Sequence, residues 1–257
     1  MAKARLIDVS KCIGCRACQV ACKQWNNLEA TPTEQRGTYE NPPQLSSNTW
    51  VRVQFRERPN EWLFRTQTCM HCTDAGCEKV CPTGAISHQG EVVFIDQEWC
   101  VGCGYCIQAC PFQVPHKDET TGTARKCTFC IDRITNGEQP ACAKTCPPNA
   151  LQFGERDALL NTAKQRVQTL ILNYGYRSAQ VYGEKELGGL HTLYVLTDSP
   201  TVFGLPEEPK VATTLVGTQW LSGVVAAGVI AVLPFWLLFK RKNNQNHEEN
   251  SDAGGGR

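Results

Sequence analysis

An excess of either charge is what this chain lacks. Its 257 residues carry 26 Lys and Arg against 25 Asp and Glu, a net charge of +1, which gives no electrostatic reason to propose nucleic acid or any strongly charged partner. Aromatic residues are modest at 8%. No Ser–His–Asp order, glycine-rich phosphate loop or paired-carboxylate motif stands out, so no residue is assigned a catalytic role and the chain offers no substrate site of its own. The five histidines, His71, His88, His116, His191 and His247, are scattered and read as ordinary side chains. His71 alone lies inside a cysteine motif, where a hydrogen bond from it would tune a bound group.

Cysteine is what the chain has. Sixteen fall into four groups of four. Cys12, Cys15, Cys18 and Cys22 follow C-x2-C-x2-C-x3-C, and Cys100, Cys103, Cys106 and Cys110 repeat that spacing before Pro111. Cys69, Cys72, Cys77 and Cys81 follow C-x2-C-x4-C-x3-C before Pro82. Cys127, Cys130, Cys142 and Cys146 stretch to C-x2-C-x11-C-x3-C before Pro147. Thiolate sets of this kind, closed by proline, hold [4Fe–4S] cubanes in bacterial ferredoxins. Sixteen ligands divide into four [4Fe–4S] clusters with none left over. Disulfides suit small secreted chains and are poorly shaped across such tight loops. Structural zinc pairs two C-x-x-C arms across a spacer and does not crowd four cysteines into eleven residues. Isolated reactive thiols do not come in quartets.

The groups alternate in kind. CIGCRACQVAC (12–22) matches CVGCGYCIQAC (100–110), while CPTGAI (81–86) and CPPNAL (146–151) end alike, each leading into a strand. This reads as a duplicated ferredoxin unit, and two-cluster ferredoxins exchange their fourth ligands between groups. Spacing leaves tandem and nested pairings both open. Residues 23–68 form an insertion in which TWVRVQF (49–55) and EWLFRTQ (61–67) predict a β-hairpin turning at Arg58, Pro59 and Asn60 and packing on the core. An amphipathic helix is expected over 157–173, with Leu159, Leu160, Ala163, Val167, Leu170 and Ile171 on one face and a stop near Gly175. A strand is expected at 191–198.

Val211 to Phe239 is free of charge, and Trp220–Phe239 alone has the length of a membrane-spanning helix. Trp220 and Trp236 sit near its ends, and Pro234 is tolerable in such a helix. Lys240, Arg241 and Lys242 follow, so the C-terminal end is expected in the cytoplasm and the cysteine domain outside the cytoplasmic membrane. The residues before Cys12, MAKARLIDVSK, hold no apolar signal core. Export of the folded domain together with a partner that carries the signal is the expectation.

ARLIDVSKCIGCRACQVAC (4–22), CMHCTDAGC (69–77), CVGCGYCIQACPF (100–112), RKCTFCIDR (125–133) and PACAKTCP (140–147) resemble the iron–sulfur subunits of respiratory molybdopterin oxidoreductases. More narrowly, GGLHTLYVL (188–196), GLPEEP (204–209) and the single C-terminal span are similar to the beta subunits of membrane-bound formate dehydrogenases of the N type. The resemblance implies an α+β fold of two nested ferredoxin-like domains followed by one transmembrane helix. It implies cluster one on Cys12, Cys15, Cys18 and Cys146, and cluster two on Cys22, Cys127, Cys130 and Cys142. Cluster three falls on Cys69, Cys72, Cys77 and Cys110, and cluster four on Cys81, Cys100, Cys103 and Cys106. Related nitrate reductases carry tryptophan where this chain has Cys103 and hold a three-iron cluster there, so four cubanes are expected here. Cys22 departs from the pattern in being followed by Lys23 and not proline.

The domains implied are 1–68 with 117–155, an inserted 69–116, a packing segment 156–210, the span 211–239 and a disordered cytoplasmic tail 240–257. The implied function is an electron relay from a large molybdopterin (molybdenum or tungsten) subunit that oxidises formate to a membrane cytochrome b subunit and quinone. The same relay serving a sulfur-compound, sulfoxide or nitrogen-oxide reductase is the alternative within the class, and a structural zinc-binding membrane adaptor is the alternative outside it. Gly14, Gly102 and Gly104 are expected either to bring backbone N–H groups near sulfur or to serve as plain turn glycines.

Overall fold

The computed structural model describes residues 2–58, 61–212 and 216–252. Two compact units divide the chain, Met1–Val211 and Ala212–Arg257. In the first, β1 (Lys3–Asp8) leads through a cysteine loop into α1 (Ala17–Trp25), and the insertion supplies β2 (Arg52–Arg58) and β3 (Glu61–Gln67). Then come α2 (Gly76–Lys79), β4 (Ile86–Gln89), β5 (Val92–Ile95), α3 (Tyr105–Ala109), β6 (His116–Lys117) and β7 (Ala124–Arg125). The unit closes with α4 (Ile131–Thr135), α5 (Ala141–Lys144), β8 (Leu151–Glu155), α6 (Arg156–Tyr174), β9 (Gln180–Tyr182) and β10 (Thr192–Leu196).

One four-stranded sheet, ordered β8-β1-β10-β9, organises the unit. β1 runs parallel to β10, with Arg5 opposite Thr192, and antiparallel to β8. Because strand side chains alternate faces, this sheet has two jobs. Ala4, Leu6, Leu193 and Val195 pack with Leu159, Leu160, Ala163 and Leu170 of α6. Ile7, Tyr194 and Leu196 belong to the opposite core, which contains Cys18, Cys22, Cys69, Cys127 and Cys142. A separate small core joins Ala75, Ile86, Val93, Ile95, Cys106 and Ala124 with Cys72, Cys77, Cys81 and Cys100. The cysteines are therefore embedded in apolar packing.

α6 runs one residue beyond the expected helix at each end and stops at Gly175, whose left-handed φ of 76° suits glycine. Ile171, expected on its buried face, is 38% exposed. Its neighbour Leu170 takes the buried position. The hairpin forms with Arg52 opposite Gln67 and Arg58 opposite Glu61. Its first strand begins and ends three residues later than expected, because pairing follows the strand Glu61–Gln67. Pro59 and Asn60 of the expected turn lie outside the described residues. Val51, Val53 and Leu63 lie in the main core, so the hairpin packs inward.

In the second unit, α7 (Val216–Asp252) holds the apolar stretch Ser222–Lys240, with mean hydropathy 2.2 and no burial inside the protein. That stretch is long and apolar enough to cross a membrane. The helix does not end at Phe239. Its backbone continues to Asp252, through most of the segment expected as a disordered tail, since no glycine or proline intervenes between Pro234 and Asp252. Residues 253–257 lie outside the described ones.

Candidate iron–sulfur sites

All sixteen cysteines are free thiols, which removes the disulfide reading. Within C-x2-C-x2-C-x3-C the first two cysteines sit on a loop and the third begins a helix. Cys18 and Cys22 both stand on α1, and Cys22 lies one helical turn, about 6 Å of rise, beyond Cys18. The two thiols lie on one face of the helix, a turn apart.

The thiols sense one another electrostatically in groups that cut across the sequence runs. Cys12 interacts with Cys146 and Cys15, and Cys18 most strongly with Cys142 and then with Cys12 and Cys146. Cys22 interacts with Cys127, Cys142 and Cys130. Cys72 interacts with Cys69, Cys110 and Cys77. Cys106 interacts with Cys100, Cys103 and Cys81. With the sets that the resemblance implies, these interactions make up the first to fourth quartets, Cys18 leaning more to its neighbour set. Thiols of successive quartets also interact: Cys18 with Cys142, Cys127 with Cys69, and Cys77 with Cys106.

Burial pushes the Cys18 and Cys130 thiols up to about 12, with like-charged neighbours adding to it. Burial and the neighbouring thiols push Cys106 up to about 11. At Cys81 burial also opposes ionisation, but the backbone amides of Ile86, Thr83 and Ala85 and the Thr83 hydroxyl outweigh it, and its pKa is lowered. Buried thiols of this kind become thiolates only against compensating positive charge, so loading with iron releases protons.

Donors surround the sulfurs. Ala124 N–H donates to Cys100 Sγ at 3.3 Å, Phe129 N–H to Cys127 Sγ at 3.3 Å and Leu151 N–H to Cys146 Sγ at 3.4 Å. The Gly14 amide bonds Cys12 sulfur. Gly14 and Gly102 both take left-handed φ, +67° and +65°. A Cβ on Gly102 would come within 1.9 Å of the Gly122 carbonyl oxygen, and one on Gly14 within 3.0 Å of the Phe64 ring.

Two features escaped sequence reasoning. Arg5 is 1% exposed and donates from Nη1 to Cys142 Sγ at 3.2 Å. Lys126, 4% exposed, interacts with Cys69, Cys77 and Cys110. The signal for Arg5 was its phase in β1, shared with Ile7. His71 does lie fully buried, stacked on Phe129 at a centroid distance of 4.6 Å. Val93 N–H donates to its Nδ1 at 3.2 Å, which puts the ring proton on Nε2. Burial and the nearby cations Lys126 and Arg5 hold its pKa well down, so it stays neutral.

The donor set fits sulfur-rich cages. Arg5 Nε and His71 Nε2 are buried and have no partner among protein atoms. Among the described residues, no three Cys, His, Asp or Glu side chains converge as a single ion requires. Zinc would draw its thiolates to about 2.3 Å from one centre, whereas a cubane holds them further apart.

Models of 4Fe–4S dicluster domains match residues 11–85 and 60–156. These define the class, a protein of two ferredoxin-like dicluster domains carrying four [4Fe–4S] clusters. The chain is 43% identical over 240 residues to the iron–sulfur subunit of the nitrate-inducible formate dehydrogenase of Escherichia coli, covering 89% of this chain and 81% of that one. It is 41% identical over 261 residues to the formate dehydrogenase-O iron–sulfur subunit of the same organism, covering 96% and 87%. A formate dehydrogenase iron–sulfur subunit of Haemophilus influenzae is 40% identical over 239 residues, covering 89% and 76%. The chain belongs to the family of formate dehydrogenase iron–sulfur subunits, which sets the zinc-adaptor reading aside.

Proposed function

We propose that this chain is the electron relay between a molybdopterin formate-oxidising subunit and a membrane cytochrome b subunit that reduces quinone, with one cluster held by each of the four quartets. Bound there, the clusters would supply one-electron carriage from the first quartet, through the second and third, to the fourth. The observation that carries this reading is the pattern of exposure. Only Cys15 of the first quartet and Cys103 of the fourth are exposed, while every thiol of the second is buried. Ile13 and Val20 beside Cys15, and Trp99, Val101 and Tyr105 beside Cys103, are exposed apolar side chains. Two apolar ends around accessible thiols, joined through a fully buried second quartet and a third with no exposed thiol, suit docking to two partners with little water on the path between.

The protein's part is insulation and tuning. The amides on Cys100, Cys127 and Cys146 stabilise negative charge on sulfur. The nested pairing makes 1–68 with 117–155 one ferredoxin-like domain and 69–116 another inserted in it. The apolar helix would anchor the relay in the cytoplasmic membrane, with the lysine and arginine after it inside and the cluster domain outside, exported with its partner. The relatives' names favour formate over the substrates of other molybdopterin enzymes. The test is the isolated complex. Roughly sixteen irons and matching sulfide per chain are expected from four cubanes, with formate driving reduction of both a dye and quinone. Co-purification with a catalytic subunit that ignores formate would overturn the reading.

A further inference from the structure

Buried Asp8, Arg52, Asp118 and Arg133 each meet an opposite charge, whereas Arg5, like Arg65 and Lys126, bonds to no carboxylate. Its guanidinium lies between two quartets and bonds to both. Nη1 donates to Cys142 Sγ at 3.2 Å, and Nη2 to the Cys69 carbonyl oxygen at 3.3 Å, to Thr192 Oγ1 at 3.0 Å and to Thr68 Oγ1 at 3.4 Å. Thr192 Oγ1 donates in turn to the same Cys69 carbonyl at 2.9 Å. The cation lies 5.2 Å from the centroid of the Phe129 ring. No carboxylate bonds to it; its neighbours are thiols, hydroxyls, a carbonyl and an aromatic face. Nε, also buried, has no partner among protein atoms.

We propose that Arg5 couples the second and third clusters, its fixed positive charge raising their reduction potentials and its fork linking Cys142 to Cys69 by two hydrogen bonds. The inference rests on the ligand sets given under Proposed function. The arginine is anchored in the middle of the sheet, on β1 between β8 and β10, so its fork is held by backbone pairing on both sides. The planar guanidinium makes a short conjugated bridge, Cys142 Sγ to Nη1, Cζ, Nη2 and the Cys69 carbonyl. When one electron moves along the relay, the second cluster is oxidised, the third reduced, and Arg5 keeps its proton throughout.

Burial works against the charge, but the thiols of Cys142 and Cys127 more than offset it, and the pKa of Arg5 is raised. Buried this deeply, the charge is screened little by salt. It favours the more negative, reduced state of any cluster beside it. Lys126 interacts with the thiols of the third quartet and its Nζ donates to the Cys127 carbonyl of the second at 3.3 Å, but Arg5 bonds a second-quartet sulfur directly and reaches Cys22, Cys130 and Cys142 as well as Cys69.

The test is a redox titration of the intact complex, followed by electron paramagnetic resonance, with Arg5→Gln, Arg5→Lys and, in parallel, Cys142→Ser. In Arg5→Gln the second cluster should become at least tenfold harder to reduce, about 59 mV for a one-electron couple. The third should shift less, and the first and fourth not at all. Arg5→Lys should restore most of the potential, but reduction of the third cluster by formate should lag, because an ammonium cannot reach both partners. Four unchanged potentials in Arg5→Gln would overturn the proposal. If that variant fails to load the second cluster, Arg5→Lys decides: normal loading with near-normal potential upholds the role of charge, and equal loss shows a purely structural arginine. A cluster that shifts in Arg5→Gln yet survives in Cys142→Ser would refute the ligand assignment and leave the tuning by Arg5 standing.

Discussion

The runs 12–22 and 100–110 share one cysteine spacing, yet they part company at two positions. After the third cysteine, α1 continues through Cys22 to Trp25, nine residues in all, while α3 stops after five, at Ala109. One residue accounts for this. Pro111 forces its predecessor Cys110 out of the helical region, to φ −83° and ψ 111°. Lys23 stands in the same place after Cys22, lets the helix go on, and ties the insertion down. Its Nζ donates to the carbonyls of Glu29 and Asn48 and to Thr31 Oγ1 at 2.8, 2.7 and 3.1 Å. The second difference is the residue before the helix: Gly104 takes a φ of 81°, and Arg16 takes 62° in the matching position. Identical ligand spacing therefore tolerates different helices, provided that the fourth thiol still lands on a neighbouring quartet.

The largest effect should come from removing those fourth thiols. Cys22→Ser should abolish the cluster of Cys127, Cys130 and Cys142, and Cys110→Ser the cluster of Cys69, Cys72 and Cys77. In both cases the cluster of the run's own first three cysteines should survive. Spectroscopy that finds instead the Cys12, Cys15 and Cys18 cluster missing in Cys22→Ser would break both the comparison and the nested pairing.

Much of this was legible in the residues and some was not. Four quartets, the hairpin, α6 with its glycine stop and the apolar span follow from spacing and periodicity. Partnership among the quartets does not, because C-x3-C on a helix says only that two thiols lie a turn apart, and the nested pairing came from resemblance. The bounds of the first hairpin strand were misplaced because β2 alternates little in burial: Arg52 and Gln54 are buried as well as Val51 and Val53. Arg52 is satisfied by Glu40 at 2.9 Å and by Gln67 at 2.7 Å, and Gln54 by Arg65 at 2.8 Å. Arg5 was missed for a related reason. An arginine in a strand reads as solvent-facing until the sulfurs across the core are known.

The glycines of the two runs should differ next. At Gly102 an added methyl meets a backbone oxygen at 1.9 Å, which cannot yield without moving the turn at Gly122. At Gly14 it meets only the edge of the Phe64 ring at 3.0 Å. Both changes carry a left-handed backbone cost of about 1–2 kcal/mol. Gly102→Ala should in addition lose the Cys100, Cys103 and Cys106 cluster on purification, whereas Gly14→Ala should keep all four. Iron content per chain distinguishes them, and equal losses would show that the close approach at Gly122 is unimportant.

Exchanging the closing residues should leave cluster content alone and change stability, in one direction. Lys23→Pro removes a helical N–H, crowds the carbonyl of Gln19 and frees three acceptors. Interior proline costs about 3 kcal/mol or more, so the temperature at which cluster absorbance bleaches should fall clearly. Pro111→Lys ends no hydrogen-bonded helix and should move that temperature little. A larger loss for Pro111→Lys would mean that proline, and not the path of the helix, shapes the site.

The smallest effect is expected where the helices begin. Arg16 bears a left-handed backbone that glycine would relieve by about 1 kcal/mol, but its guanidinium sits 4.9 Å from the centroid of the Phe55 ring. A cation over a ring contributes about 0.5–1 kcal/mol at such a site. The two terms nearly cancel, so Arg16→Gly should leave thermal stability almost unchanged. Gly104 has open space where a side chain would begin, with no atom within 4 Å of the added Cβ. Gly104→Arg would therefore suffer the backbone cost, about 1–2 kcal/mol, without a ring packed at the start of its side chain. Denaturation of the two variants side by side checks this. If Arg16→Gly were the more damaging of the pair, Arg16 would be held by something stronger than Phe55, and the likeness of the two runs would end one residue earlier than their cysteines suggest.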